Sequence, residues 1–180
     1  MRTDAPRLPQ LTVEELDPAL HALLPPGPML NIFSTLANNP RLMQNWWSFA
    51  NHVLLENSLP PRERELIILR VGVLSRSGYE YGQHVVMGRE AGLLDEEIAR
   101  VSKGPDAEGW SDRERALLRA TDEAHADAFV SDATWAALDF LSDAQKVDFA
   151  FTVGQYMMVS LVLNTLGVQL DAGFEGLPAD

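Results

Sequence analysis

From Met29 onward the apolar positions recur at helical spacing, and they mark a succession of helices separated by short polar breaks. Leu30, Phe33 and Leu36 predict a short helix ending near Asn38-Asn39-Pro40. A second runs from Pro40, favourable at a first helical position, to about Asn57 through Trp46, Trp47, Phe49 and Val53. After Ser58-Leu59-Pro60-Pro61 a third continues to about Ser75. Its Leu66, Ile67, Ile68, Leu69, Val71, Val73 and Leu74 cover nearly every angle, which predicts burial on most sides. Residues 75–79 form the next break, with Gly78 as the expected turn residue. Then comes a helix from about Tyr79 to Ala91, stopped by Gly92.

The second half repeats the scheme. A short amphipathic helix is predicted over 93–102, followed by a loop over 103–110. Ser111 caps a helix to about Phe129 with Glu114 at its third position. Ser131 caps a shorter one through Leu141, and Ser142 caps a long helix over 143–166, closed by Gly167. No alternating run of β-branched residues lies between them. The expected fold class is all-α: a single helical domain, residues 29–170, built on an antiparallel helix hairpin. It is preceded by a proline-rich N-terminal arm, 1–28, read as a surface extension, and followed by a C-terminal tail, 171–180.

Composition narrows the function classes. The net charge of −12 disfavours nucleic acid and anionic membrane surfaces as partners. There is no cysteine, which excludes disulfides, thiolate catalysis, cysteine-based zinc sites and iron–sulfur clusters. Met1–Gln10 is polar, without the apolar stretch of a secretory signal. The longest apolar segment, 147–168, is interrupted by Asp148, Gln155 and Asn164, so a cytoplasmic location with no membrane partner is expected.

The chemistry concentrates between Glu65 and Gly92. Glu80 and His84 are four residues apart and share one helix face with Met87 and Ala91. A carboxylate beside an imidazole fixes its tautomer and raises its basicity, which suits general acid–base work near neutral pH. Glu65 shares its face with Ile68, Leu69 and Gly72, and joins the pair if the two helices pack as an antiparallel hairpin. Gly72 and Gly88 would permit close approach. The bland alternatives are a surface Glu–His pair and a Glu65 that serves only the helix dipole. No HExxH or histidine-rich spacing supports a metal, and none is expected. On the last helix Asp148, Thr152, Gln155 and Tyr156 fall within one arc, either lining the same pocket or satisfying polar groups in the core.

The run LPPRERELIILRVGVLSRSGYEYGQHVVMGREAGL, residues 59–93, resembles the carboxymuconolactone decarboxylase and alkylhydroperoxidase-D-like family. The matching elements are Glu65-Leu66, Tyr79-Glu80-Tyr81, His84 and Gly92-Leu93. The resemblance implies a helical fold whose subunits assemble as trimers or hexamers. The peroxidase-like branch carries a C-x-x-C motif whose second cysteine lies four residues before the histidine. Here those positions are Ser77 and Glu80, so the decarboxylase-like branch is implied, with Glu65, Glu80 and His84 as its catalytic positions. The function implied is a cofactor-independent acid–base enzyme, a decarboxylase-like lyase, acting on a small carboxylated or lactone substrate. His84 or Glu80 would donate a proton to carbon as carbon dioxide leaves. The alternatives are a related isomerase, dehydratase or ring-opening enzyme, or a non-catalytic oligomeric binding protein.

Overall fold

A computed structural model describes residues 2–178; Met1 of the arm and Ala179 and Asp180 of the tail lie outside them. Among the described residues every regular element is helical. They are α1 (Pro18–His21), α2 (Asn31–Leu36), α3 (Pro40–Asn51), α4 (Pro61–Leu74), α5 (Gly78–Glu90), α6 (Asp95–Val101), α7 (Asp112–Asp127), α8 (Asp132–Ala136) and α9 (Asp143–Leu166).

The fold is organised around α4. Leu66, Ile67, Ile68, Leu69 and Val71 are fully buried on it, as its all-round apolar pattern requires. It packs against α5, α7 and α9 and touches α6. One side of α4 meets α7 and α9 in a cluster containing Ile67, Ile68, Leu117, Leu138 and Phe149. Its other side carries Leu66 and Leu69 to Tyr81, Leu93, Ile98 and Trp110. A Cβ on Gly72 would stand 3.4 Å from the backbone nitrogen of Tyr81, so the absence of a side chain lets α4 and α5 approach closely. Charged anchors fasten the layers. Arg70, nearly buried, holds Asp122 through two bonds of 2.6 and 2.8 Å and the Val101 carbonyl at 2.9 Å. Arg62 bridges Glu97 and Glu114.

Several boundaries differ from the sequence pattern. The second helix does not run evenly to Asn57, because α3 passes into a π-turn over His52–Glu56. Gly78 is the first residue of α5 rather than the turn. The positive φ of 49° falls on Arg76, where a side chain costs about 1 kcal/mol. α8 stops at Ala136, short of Leu141. The N-terminal segment does not extend from the surface: Leu16 and Leu20 are buried against Phe33, Ala37 and Met43. The backbone N–H of Arg7 donates to the Leu166 carbonyl at 3.0 Å, tying that segment to the end of α9. α9 is long and apolar enough to cross a membrane by length and composition, but its inner face is buried against α4, α5 and α7. A core helix passes the same test.

Candidate functional site

The two helices of the hairpin bring the three predicted residues together. Glu65 lies at the second turn of α4. Glu80 is the third residue of α5, where the helix dipole favours an acid, and His84 follows one turn later. His84 Nδ1 is 2.6 Å from Glu65 Oε2, and His84 Nε2 is 3.0 Å from Glu80 Oε1. The surface-pair alternative does not hold, since Glu65 is 0%, His84 4% and Glu80 5% exposed.

Both ring nitrogens therefore face carboxylate oxygens, which only the doubly protonated imidazolium satisfies with two donors. Burial by itself pulls the His84 pKa down. The Glu65 charge and the hydrogen bonds to Glu65 and Glu80 outweigh it and push the pKa up to about 9. At neutral pH the site holds an imidazolium between two carboxylates, with Arg64 as a further cation: its Nε donates to Glu65 Oε1 at 3.2 Å.

Tyr156 of α9 closes one side. Its ring meets the imidazole edge-on, with centroids 4.9 Å apart and an interplanar angle of 86°. Burial, then the charges of Glu80 and Glu65, hold its phenol well above the usual range, so it stays neutral. Two other members of the predicted α9 arc have partners outside the set. Asp148 accepts from the backbone N–H and the hydroxyl of Ser58, at 2.6 Å each. Thr152 lies against Asn57. Gln155 is buried with its Oε1 unpartnered. Ser77, the residue before α5, is fully buried and its hydroxyl also lacks a partner.

A third group, around Asp171, fixes the start of α5 and was not foreseen. Its Oδ2 accepts from the Tyr79 hydroxyl at 2.5 Å and from Gln83 Nε2 at 2.8 Å. Its Oδ1 accepts from the Asn31 backbone at 2.8 Å. Gln83 adjoins His84, so the segment after α9 holds the helix that carries the site. The only hint in the sequence was Asp171 next to an otherwise apolar stretch, and its partners are 88 to 140 residues away. Arg64 stands in the alternating charged run Arg62-Glu63-Arg64-Glu65, where periodicity does not distinguish it from a solvated charge.

The helical hairpin and the helices packed around it form an AhpD-like helical fold, which solved structures share. An AhpD-core, uncharacterized peroxidase-related protein from Ralstonia eutropha JMP134 superposes with a TM-score of 0.84 at 19% identity, over 94% of each chain. An uncharacterized peroxidase-related protein from Silicibacter sp. TM1040 gives 0.82 at 18% identity, over 96% of this chain and 95% of that one. The debrominase Bmp8 gives 0.75 at 13% identity, over 91% of each. No curated protein matches the chain. Residues 40–123, a segment that contains Glu65, Glu80 and His84, match the model of the carboxymuconolactone decarboxylase family.

Proposed function

We propose that Glu65, His84 and Glu80 form the proton-transfer centre of a cofactor-independent enzyme, a decarboxylase-like lyase acting on a small carboxylated or lactone substrate. The observation that carries this reading is the buried imidazolium held at both nitrogens, 2.6 Å from Glu65 and 3.0 Å from Glu80. The roles follow from the geometry. Glu65, braced by Arg64, fixes the ring and keeps the proton on Nδ1. The proton on Nε2 is the mobile one. Glu80 can take it and pass it to a substrate carbon, while His84 is left neutral on the Glu80 side. A lactone whose carbonyl receives the electrons of the departing carboxylate supplies its own electron sink, so such a step needs no organic cofactor. With no cysteine in the chain, thiol-based peroxide reduction has no nucleophile.

Isomerisation, dehydration and ring opening use the same proton transfer. A panel of carboxylated γ-lactones, scored for carbon dioxide and product mass, separates them from decarboxylation. Glu80→Gln and His84→Ala should each abolish turnover while helicity and oligomeric state persist. Full activity in both variants removes the acid–base reading. One observation favours a non-catalytic binding protein instead: the set is closed over, with His84 only 4% exposed. That reading predicts no turnover of any panel member by the unaltered protein.

The chain is also read as a homo-oligomer, a trimer or hexamer. Supporting this, Val147 and Phe151 are exposed one turn apart on α9, and the exposed Phe49 of α3 meets the Phe151 ring edge-on at 5.9 Å, which leaves an apolar patch for a second copy. Sedimentation of the unaltered protein against Phe151→Glu tests it: a monomer in both cases refutes the oligomer.

A further inference from the structure

A second polar concavity lies away from the Glu65–His84–Glu80 set. A cavity of about 710 Å³ opens between the N-terminal segment, the α4–α5 turn, the last turns of α7 and the end of α9. Its lining combines Arg2, Thr3, Arg7, Ser75 and His125 with Met157, Met158 and Leu161 of α9. The volume is that of a pocket for a small organic ligand.

The net charge is −12, and Arg62, Arg64, Arg70, Arg89, Arg113 and Arg119 each lie against a carboxylate. Among the described residues Arg2 and Arg7, like Arg41, Arg76, Arg100 and Arg115, have no carboxylate at ion-pair distance, and Arg2 and Arg7 both line this one cavity. Two uncompensated cations converging on a concave surface of an acidic protein raise the local anion concentration against the field of the whole molecule. The wall is also held in place. Arg7 Nη1 donates to the Thr165 carbonyl at 3.0 Å. Asn164 Nδ2 donates to the Ser75 carbonyl at 2.9 Å. Ser75 Oγ is 3.0 Å from His125 Nε2. The hydroxyl of Ser75, held by His125, lines the same cavity as a further polar group.

We propose that this cavity binds a small organic oxyanion, its carboxylate or phosphate on Arg2 and Arg7 and its apolar body against Met157, Met158 and Leu161. The inference is independent of the acid–base reading, because no residue of the Glu65–His84–Glu80 set lines the cavity.

Isothermal titration of the full chain with benzoate, phenyl phosphate and benzyl alcohol tests it. One or both anions should bind saturably and the alcohol should not; which anion binds identifies the headgroup. Arg7→Gln loosens the N-terminal segment as well as the cavity, so Arg2→Gln is the second variant, and circular dichroism checks both folds. Each should weaken anion binding about tenfold, the loss expected for one charged hydrogen bond. His84→Ala should leave it unchanged. Three results overturn the proposal: no saturable binding of either anion, binding of benzyl alcohol equal to that of benzoate, or binding that survives Arg2→Gln but fails in His84→Ala.

Discussion

Glu65→Gln isolates the electrostatics of the buried imidazolium. The amide preserves shape and can still accept from Nδ1 through its oxygen, but it removes the charge that lies 2.6 Å from His84. In the unaltered protein the His84 pKa rises from its ordinary 6.5 to about 9, a shift corresponding to about 3 kcal/mol. The folded pKa is above the unfolded one, so this stabilisation is fully present below about pH 6.5. It is lost as the pH climbs through about 9, where the folded protein no longer binds the extra proton. Unfolding free energies from urea titrations should therefore drop by about 3 kcal/mol between about pH 6 and about pH 10, beyond the slope from other groups. In Glu65→Gln most of that drop should vanish, leaving about 1 kcal/mol from the Glu80 hydrogen bond. The variant should also be less stable at neutral pH by about 3 kcal/mol, since the partly buried Arg64 keeps its charge with its carboxylate gone and His84 no longer holds its extra proton as firmly. The chain has four histidines, so their ring proton signals can be followed individually. The His84 resonance should titrate lower in the variant. An unchanged His84 midpoint together with an unchanged pH slope of stability would refute the assignment of an imidazolium held by Glu65.

Two structural substitutions give further checks. Arg70→Met leaves Asp122 and the Val101 carbonyl without their donor and should lower the unfolding free energy by about 3 kcal/mol in urea; a loss below about 1 kcal/mol would mean that water replaces the guanidinium freely. A methyl on Gly82 would run into the carbonyl oxygen of Glu175. Gly82→Ala should therefore displace the C-terminal segment, seen as faster amide exchange and proteolysis beyond Gly167 with the α4–α7 core still protected.

Much of the molecule was legible because its signals are local. The Ser111–Glu114 and Ser142–Gln145 boxes start α7 and α9 where the pattern put them, and Gly92 and Gly167 take positive φ as stops. The all-round apolar run of α4 foretold its central place. The convergence of Glu65 on the Glu80–His84 face followed from helix periodicity and two glycines. What escaped was set by tertiary contacts. The burial of Leu16 and Leu20 depends on a surface offered by Phe33 and Met43, which proline content does not reveal. The turn conformation fell on Arg76 although Gly78 was available, because Gly78 is taken up as the first residue of α5. Asp171 reaches across the domain, and no periodicity carries that information.

The Asp171 clamp also bears on the order of folding. Its bond to the Asn31 backbone closes a loop of 140 residues, and its bond to Tyr79 one of 92. Such distant closures are slow compared with the pairing of α4 and α5, which are neighbours in the chain. During synthesis Asp171 emerges well after α4 and α5. Until it does, the start of α5 lacks the bonds from Tyr79 and Gln83 to Asp171. The helix bearing Glu80 and His84 is thus made early and fastened late, so a ribosome-stalled chain ending just before Asp171 should be helical but still open to proteolysis around residues 75–83.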